Sequence, residues 1–157
     1  MKKQRRKFEK PIRPWDKTRI EEERKVMRDY GLRRKRELWR AESILREFRR
    51  LARELSARKD KEKEKILLDK LFRMGLVSKE ADLDDVLALN VINLLDRRIQ
   101  TLVYKKGMAK TPKEARQYIV HGHIAFEGRR IKWPSTLVNL GGEENIKFYQ
   151  GSKIGVK

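Results

Sequence analysis

Cysteine is absent from the 157 residues. That excludes disulfides, cysteine nucleophiles and thiolate zinc sites. Long apolar runs are absent too: no stretch approaches the roughly 20 residues of a membrane-spanning helix. The start, M-K-K-Q-R-R-K-F-E-K, is basic and has no apolar core of the kind a signal peptide carries. There is no P-loop, no G-x-G-x-x-G and no local Ser-His-Asp signature, and the two histidines have no carboxylate or thiol motif beside them. The sequence therefore offers no catalytic residue, no metal site and no cofactor. Acid is scarce relative to base, with 23 Asp and Glu against 42 Lys and Arg and a formal net charge of +19. Such charge repels itself in a compact state, so a polyanionic partner is the simplest reason to carry it. Nucleic acid is the first candidate, because each neutralised phosphate releases condensed counterions; an anionic membrane surface is the second.

The charge is not evenly spread. Residues 1–65 carry 26 basic and 13 acidic side chains, residues 66–96 carry 3 and 6, and residues 97–157 carry 13 and 4. Two positive regions flank an apolar, slightly acidic middle that is expected inside. Residues 1–15, with Pro11 and Pro14, read as an extended basic arm, since a residue before proline avoids the helical region. Residues 16–92 read as a helical domain. Asp16 or Thr18 caps its first helix, with Thr18 to Glu21 in a capping-box pattern, and Gly31 stops it. A second helix spans about 33–57, where Leu38, Ala41, Leu45, Phe48, Ala52 and Leu55 form one stripe at spacings of three and four. Arg33, Arg36, Arg40, Arg46, Arg50 and Arg53 lie mostly off it. Arginine rather than lysine there suits bidentate phosphate contact, against the alternative of a solvated face with intrahelical pairs such as Glu42–Arg46. A third helix begins in the mixed-charge run 58–65 and stops at Gly75. Asp82, Asp84 and Asp85 read as acids at a helix N-terminus rather than a Mg²⁺ site.

Residues 93–149 form a second unit, and 150–157 a short basic tail. A helix over about 91–106 has Leu95, Ile99, Leu102 and Val103 on one face, with Arg98, Thr101 and Lys105 along another and Gly107 as its stop. Thr111-Pro112-Lys113-Glu114 is a specific start signal: Thr at the N-cap, Pro at the first helical position and Glu at the third. That N-terminus, with Lys110 and Lys113, reads as a phosphate site, with Arg116, His123, Arg129 and Arg130 extending it. His123 to Phe126 and Arg129 to Lys132 read as a hairpin about Glu127-Gly128. Leu137-Val138 and Ile146 to Tyr149 read as two more strands. The expected fold class is α+β: a mostly helical amino-terminal domain plus a small module of two helices and an antiparallel sheet.

The run R-R-I-Q-T-L-V-Y-K-K-G-M-A-K-T-P-K-E-A-R-Q-Y-I-V-H-G-H-I-A-F-E-G-R-R-I resembles the RNA-binding module named after ribosomal protein S-four. R-P-W-D-K-T-R-I-E-E-E-R-K-V-M-R-D-Y-G-L-R-R-K-R-E-L-W-R, L-D-D-V-L-A-L and L-L-D-R-R-I-Q-T are similar to the archaeal and eukaryotic branch of that family, called S-nine in eukaryotes. The resemblance covers about residues 11–149. It implies a structural, non-enzymatic constituent of the small ribosomal subunit in the cytoplasm. It further implies a primary rRNA binder that nucleates the subunit body and contributes to translational accuracy near the mRNA entrance side. The implied partners are small-subunit rRNA, neighbouring ribosomal proteins and mRNA, with no membrane and no self-association. RNA-facing positions in the module would be Arg97, Arg98, Lys106, Lys110, Thr111, Lys113, Arg116, His123, Arg129 and Arg130; the arginine helix adds Arg33, Arg34, Arg36 and Arg40. The zinc-binding cysteine cluster of some relatives has no counterpart here, and the basic, glycine-rich tail common in this branch is expected to be cut to Gly151–Lys157.

Other readings compete with a structural one. An assembly or rescue factor could carry the same module. An RNA-modifying enzyme would need a separate catalytic domain, for which residues 1–90 supply no constellation. A helix-turn-helix DNA binder would accept duplex DNA as readily as rRNA.

Overall fold

The computed structural model describes residues 6–152 and residue 154; expectations for the first five residues and most of the tail lie outside them. Among the described residues the chain forms seven α-helices followed by a three-stranded antiparallel sheet, an α+β fold. Helix α1 (Lys17–Asp29) is capped by Asp16, which accepts from the Arg19 N–H at 3.5 Å. The Thr18 hydroxyl donates to the same carboxylate at 2.7 Å, so the alternative Thr18 cap does not form. The helix α2 (Lys35–Arg58) buries all six residues of the expected stripe, each Leu or Phe worth about 1.5–3 kcal/mol when fully buried. Helix α3 (Lys61–Arg73) is capped by Asp60. In α4 (Leu83–Ala88) Asp82 and Asp85 form a capping box, which accounts for that acidic cluster without an ion.

The helix expected over 91–106 is two helices, α5 (Val91–Asp96) and α6 (Ile99–Lys105). A strand-like exchange breaks it. The Val138 N–H donates to the Arg97 carbonyl and the Ile99 N–H to the Thr136 carbonyl, both at 2.9 Å. Leu137 spends its pairing on this bridge to Arg98 and so is not the sheet strand expected. Helix α7 (Pro112–His121) begins at Thr111, whose hydroxyl accepts from the Glu114 N–H at 3.2 Å. Strands β1 (Ile124–Phe126) and β2 (Arg129–Ile131) form the expected hairpin. Its two turn residues, Glu127 and Gly128, both have positive φ, 52° and 75°, the combination of a type I′ turn. Strand β3 (Ile146–Phe148) pairs with the other edge of β1, giving the order β2-β1-β3.

Two cores result. Leu38, Leu45, Leu71, Val86, Leu94 and Leu95 belong to the first, built by α1–α5. Ile99, Val103, Ile119, Ile124 and Ile146 belong to the second, built by α6, α7 and the sheet. Polar groups join them. The Gln100 amide, 1% exposed, donates to the carbonyls of Tyr30, Gly31 and Pro112 at 3.0–3.2 Å. Gly31 (φ 58°) lies so close to the start of α7 that a Cβ there would sit 2.9 Å from the Pro112 carbonyl carbon. Only glycine permits both that backbone angle and that approach. The Tyr30 hydroxyl donates to Asp96 at 3.0 Å, and burial, with that carboxylate, pushes its pKa up to about 12.

Candidate nucleic-acid interface

The basic residues singled out by the sequence fall into two groups. The open group begins with Arg33, Arg34, Arg36 and Arg40, all exposed. The side chains of these four make no ion pair or hydrogen bond among the described residues; Arg36 and Arg40 lie off the buried stripe of α2, and Arg33 and Arg34 precede its first residue. Lys106, Lys110, Lys113 and Arg129 are exposed as well; the Lys106 ammonium reaches the Ile146 carbonyl at 3.4 Å. The arm lies against α2 beside them. The Glu9 N–H donates to the Ser43 hydroxyl at 3.1 Å, Glu9 pairs with Arg46, and Phe8 sits 6.0 Å from the Trp39 ring. The Arg19 guanidinium donates to the carbonyls of Arg13 and Pro14, fixing where the arm enters α1.

The second group is already engaged. Arg98 and Thr101 do not lie along an open helical face: both are buried, at 5% and 7% exposure. The helix break turns them inward. Thr101 donates to the Leu95 carbonyl at 2.7 Å, and Arg98 donates to Glu37 of α2 at 2.8 Å. Arg116, expected on the exposed face of α7, is half-buried and donates to the same Glu37 oxygen at 3.0 Å. Burial pushes the Glu37 carboxyl up, but Arg116 and Arg98 outweigh it and hold its pKa below the ordinary carboxylate value. Burial pulls the Arg98 pKa down, opposed by Glu37. Arg97 donates to the Val138 carbonyl at 2.9 Å and pairs with Glu143. Arg130 donates to the carbonyls of His121 and Gly122, both at 2.8 Å, closing the end of α7, with Tyr149 beneath it. His123 shares a hydrogen bond of 3.0 Å with Ser152 and stacks beside His121.

The start of α7 is not the open phosphate site expected. Pro112 has no N–H, the Glu114 N–H goes to Thr111, and the Lys110 N–H goes to Glu114 at 2.6 Å. Gly31 covers the turn. Glu114 supplies the negative charge that the helix terminus attracts, and its own pKa is lowered by Tyr118 and by the Lys110 N–H. Lys110 and Lys113 remain on the surface around this filled terminus.

Sequence reasoning missed Glu37, Glu23 and Gln100. Glu23 is 4% exposed and is met by Arg19 at 2.5 Å, Lys35 at 2.7 Å and the Trp39 indole N–H at 3.0 Å. No local signal marks any of them, since an isolated Glu among arginines reads as one more solvated pair. Among the described residues no group of three His, Asp or Glu could hold a metal ion, and no helix is long and apolar enough to cross a membrane.

Comparison with known proteins follows this division. Residues 1–96 match the model described as the ribosomal protein S4/S9 N-terminal domain, and residues 97–144 match the S4 domain. A small ribosomal subunit protein uS4 from Sulfurisphaera tokodaii is 52% identical over 155 residues, covering 96% of this chain and 88% of that protein. Those from Saccharolobus islandicus and Methanosphaera stadtmanae are 49% and 47% identical, each over 98% of this chain and over 87% and 86% of their own lengths. At this identity and coverage the chain belongs to the uS4 family of small ribosomal subunit proteins.

Proposed function

We propose that this chain is a structural, non-enzymatic constituent of the small subunit of the cytoplasmic ribosome, holding rRNA through many phosphate contacts. The observation that carries the reading is the open arginine group at the start of α2, where Arg34, Arg36 and Arg40 share one cleft with Glu37 and with Arg98 and Arg116 of the module. Phosphate contacts position a protein on RNA without reading bases, and A-form helices are recognised mainly by shape and backbone. Arg33, Arg34, Arg36 and Arg40 are the phosphate ligands on the helical side. Lys106, Lys110, Lys113 and Arg129 serve on the module, and the arm is a third contact. Arg97, Arg98, Thr111, Arg116, His123 and Arg130 contribute by shaping that surface, with Arg116 and Arg130 still reachable at its edge.

Early binding that organises the subunit body, a contribution to accuracy beside the mRNA entrance and contacts with neighbouring ribosomal proteins are the finer parts of this reading. The test is binding to a folded small-subunit rRNA fragment across a salt series. Affinity should fall by orders of magnitude between roughly 50 and 200 mM salt for 6–10 phosphate contacts; a flat profile would sink the reading. Small subunits washed in high salt should retain the protein, whereas an assembly or rescue factor would be released.

A further inference from the structure

We propose that the cleft between the first turns of α2 and the loop 133–137 receives one unpaired RNA nucleotide, its base stacked on Trp133 and its phosphate among the α2 arginines. This rests on the reading of the chain as an rRNA binder and adds a base-recognising pocket to a surface otherwise suited to backbone contact. The cleft encloses about 740 Å³, within the range of about 300–1,000 Å³ of small-ligand sites. Ala41, Ile44, Leu94 and Leu137 give it an apolar floor. Its lining carries six cations, from Lys7, Arg34, Arg36, Arg40, Arg98 and Arg116, against the single carboxylate of Glu37. That carboxylate is already shared between Arg98 and Arg116, so the net field in the cleft favours an anion. Arg98 is 5% exposed and its Nε–H has no acceptor among the described residues.

Trp133 distinguishes this cleft from a plain anion site. Trp133 is 67% exposed in the lining of the cleft, which the hydrophobic effect disfavours unless something covers it. Its backbone is set in advance: Pro134 restricts it to extended geometry, and its carbonyl accepts from the Thr136 N–H and hydroxyl at 3.3 and 3.0 Å. An exposed aromatic on a fixed backbone beside arginines is an arrangement on which splayed-out bases stack. A paired base offers no free face for such stacking, so an unpaired position is required.

The experiment uses the full chain bound to small-subunit rRNA, with base reactivity read by dimethyl sulfate and carbodiimide. Trp133→Ala is compared with wild type and with Trp133→Phe. One unpaired base should be protected by wild type and by Trp133→Phe and become reactive with Trp133→Ala. Affinity should fall about tenfold in Trp133→Ala, as expected for loss of one base–aromatic stack, with the salt slope unchanged because no phosphate contact is lost. Since the side chain is exposed, the unfolding temperature should not move. If wild type binds rRNA and Trp133→Ala shows the same affinity and the same reactivities, the pocket is overturned while the rRNA reading stands. That is also the outcome if the cleft holds a segment of a neighbouring protein. If wild type fails to bind rRNA, both fall.

Discussion

The arginines at the start of α2 and those of the carboxy-terminal module differ in what their guanidiniums already hold. Arg34, Arg36 and Arg40 face solvent, whereas Arg98 and Arg116 close on Glu37, Arg97 on Val138 and Glu143, and Arg130 on the end of α7. Equal charges therefore have unequal availability. The open set costs little stability and is free for phosphate. The closed set fixes how the two cores meet, and so fixes the distance between the open α2 set and the lysines of the module. A charge count sees one basic protein; the structure separates an unengaged set from a framing set.

The strongest way to break this contrast is Glu37→Ala. It leaves Arg98 buried without its partner, and removing one member of a buried pair costs about 3–5 kcal/mol; urea denaturation would measure it. A cost close to zero would mean the framing set frames nothing. Leu45→Ala should cost about 2–5 kcal/mol, since Leu45 is 2% exposed, while the folded fraction still binds RNA normally.

Acid should loosen the frame as well. The folded pKa of Glu37 is depressed, so its contribution is complete above its ordinary value of 4.5 and is lost as pH falls through the lower folded value. Glu23 acts in the same sense, its burial being outweighed by Lys35 and Trp39. Glu42, raised by burial and by Glu23, acts oppositely. Denaturation midpoints should be steady near neutrality and drop below the ordinary Glu value, and Glu37→Gln should flatten that drop. Arg116→Ala should cost about 1.5–3 kcal/mol, the worth of a hydrogen bond to a charged group, and some RNA affinity too. The smallest effect on stability is expected for Arg40→Ala, within about 0.5 kcal/mol. There the salt slope of RNA binding should drop by about 1, a change absent from Leu45→Ala.

Local signals made much of the fold readable. The stripe of α2, the caps at Asp16 and Thr111 and the turn at Glu127-Gly128 involve residues a few positions apart. The break at Arg97-Arg98 was not readable, because it is imposed by residues 136–138, about 40 positions later. For the same reason Arg98 and Thr101 looked like a polar face: the acceptor of Arg98 lies 61 residues away. The α2 arginines were legible as a surface because the stripe determines what faces out. Trp133 and the cleft were not, since the cleft exists only after the module docks on α2.

The span of the Glu37 contacts also sets a clock. Its partners lie 61 and 79 residues further along the chain, and synthesis at about 5–20 residues per second puts roughly 4–16 seconds between Glu37 and the second of them. By the time α2 is complete at Arg58, neither partner of Glu37 has been made. The first core is thus made before the residues that hold the second core against it exist, so the direction of translation is written into the order in which the two halves can fold.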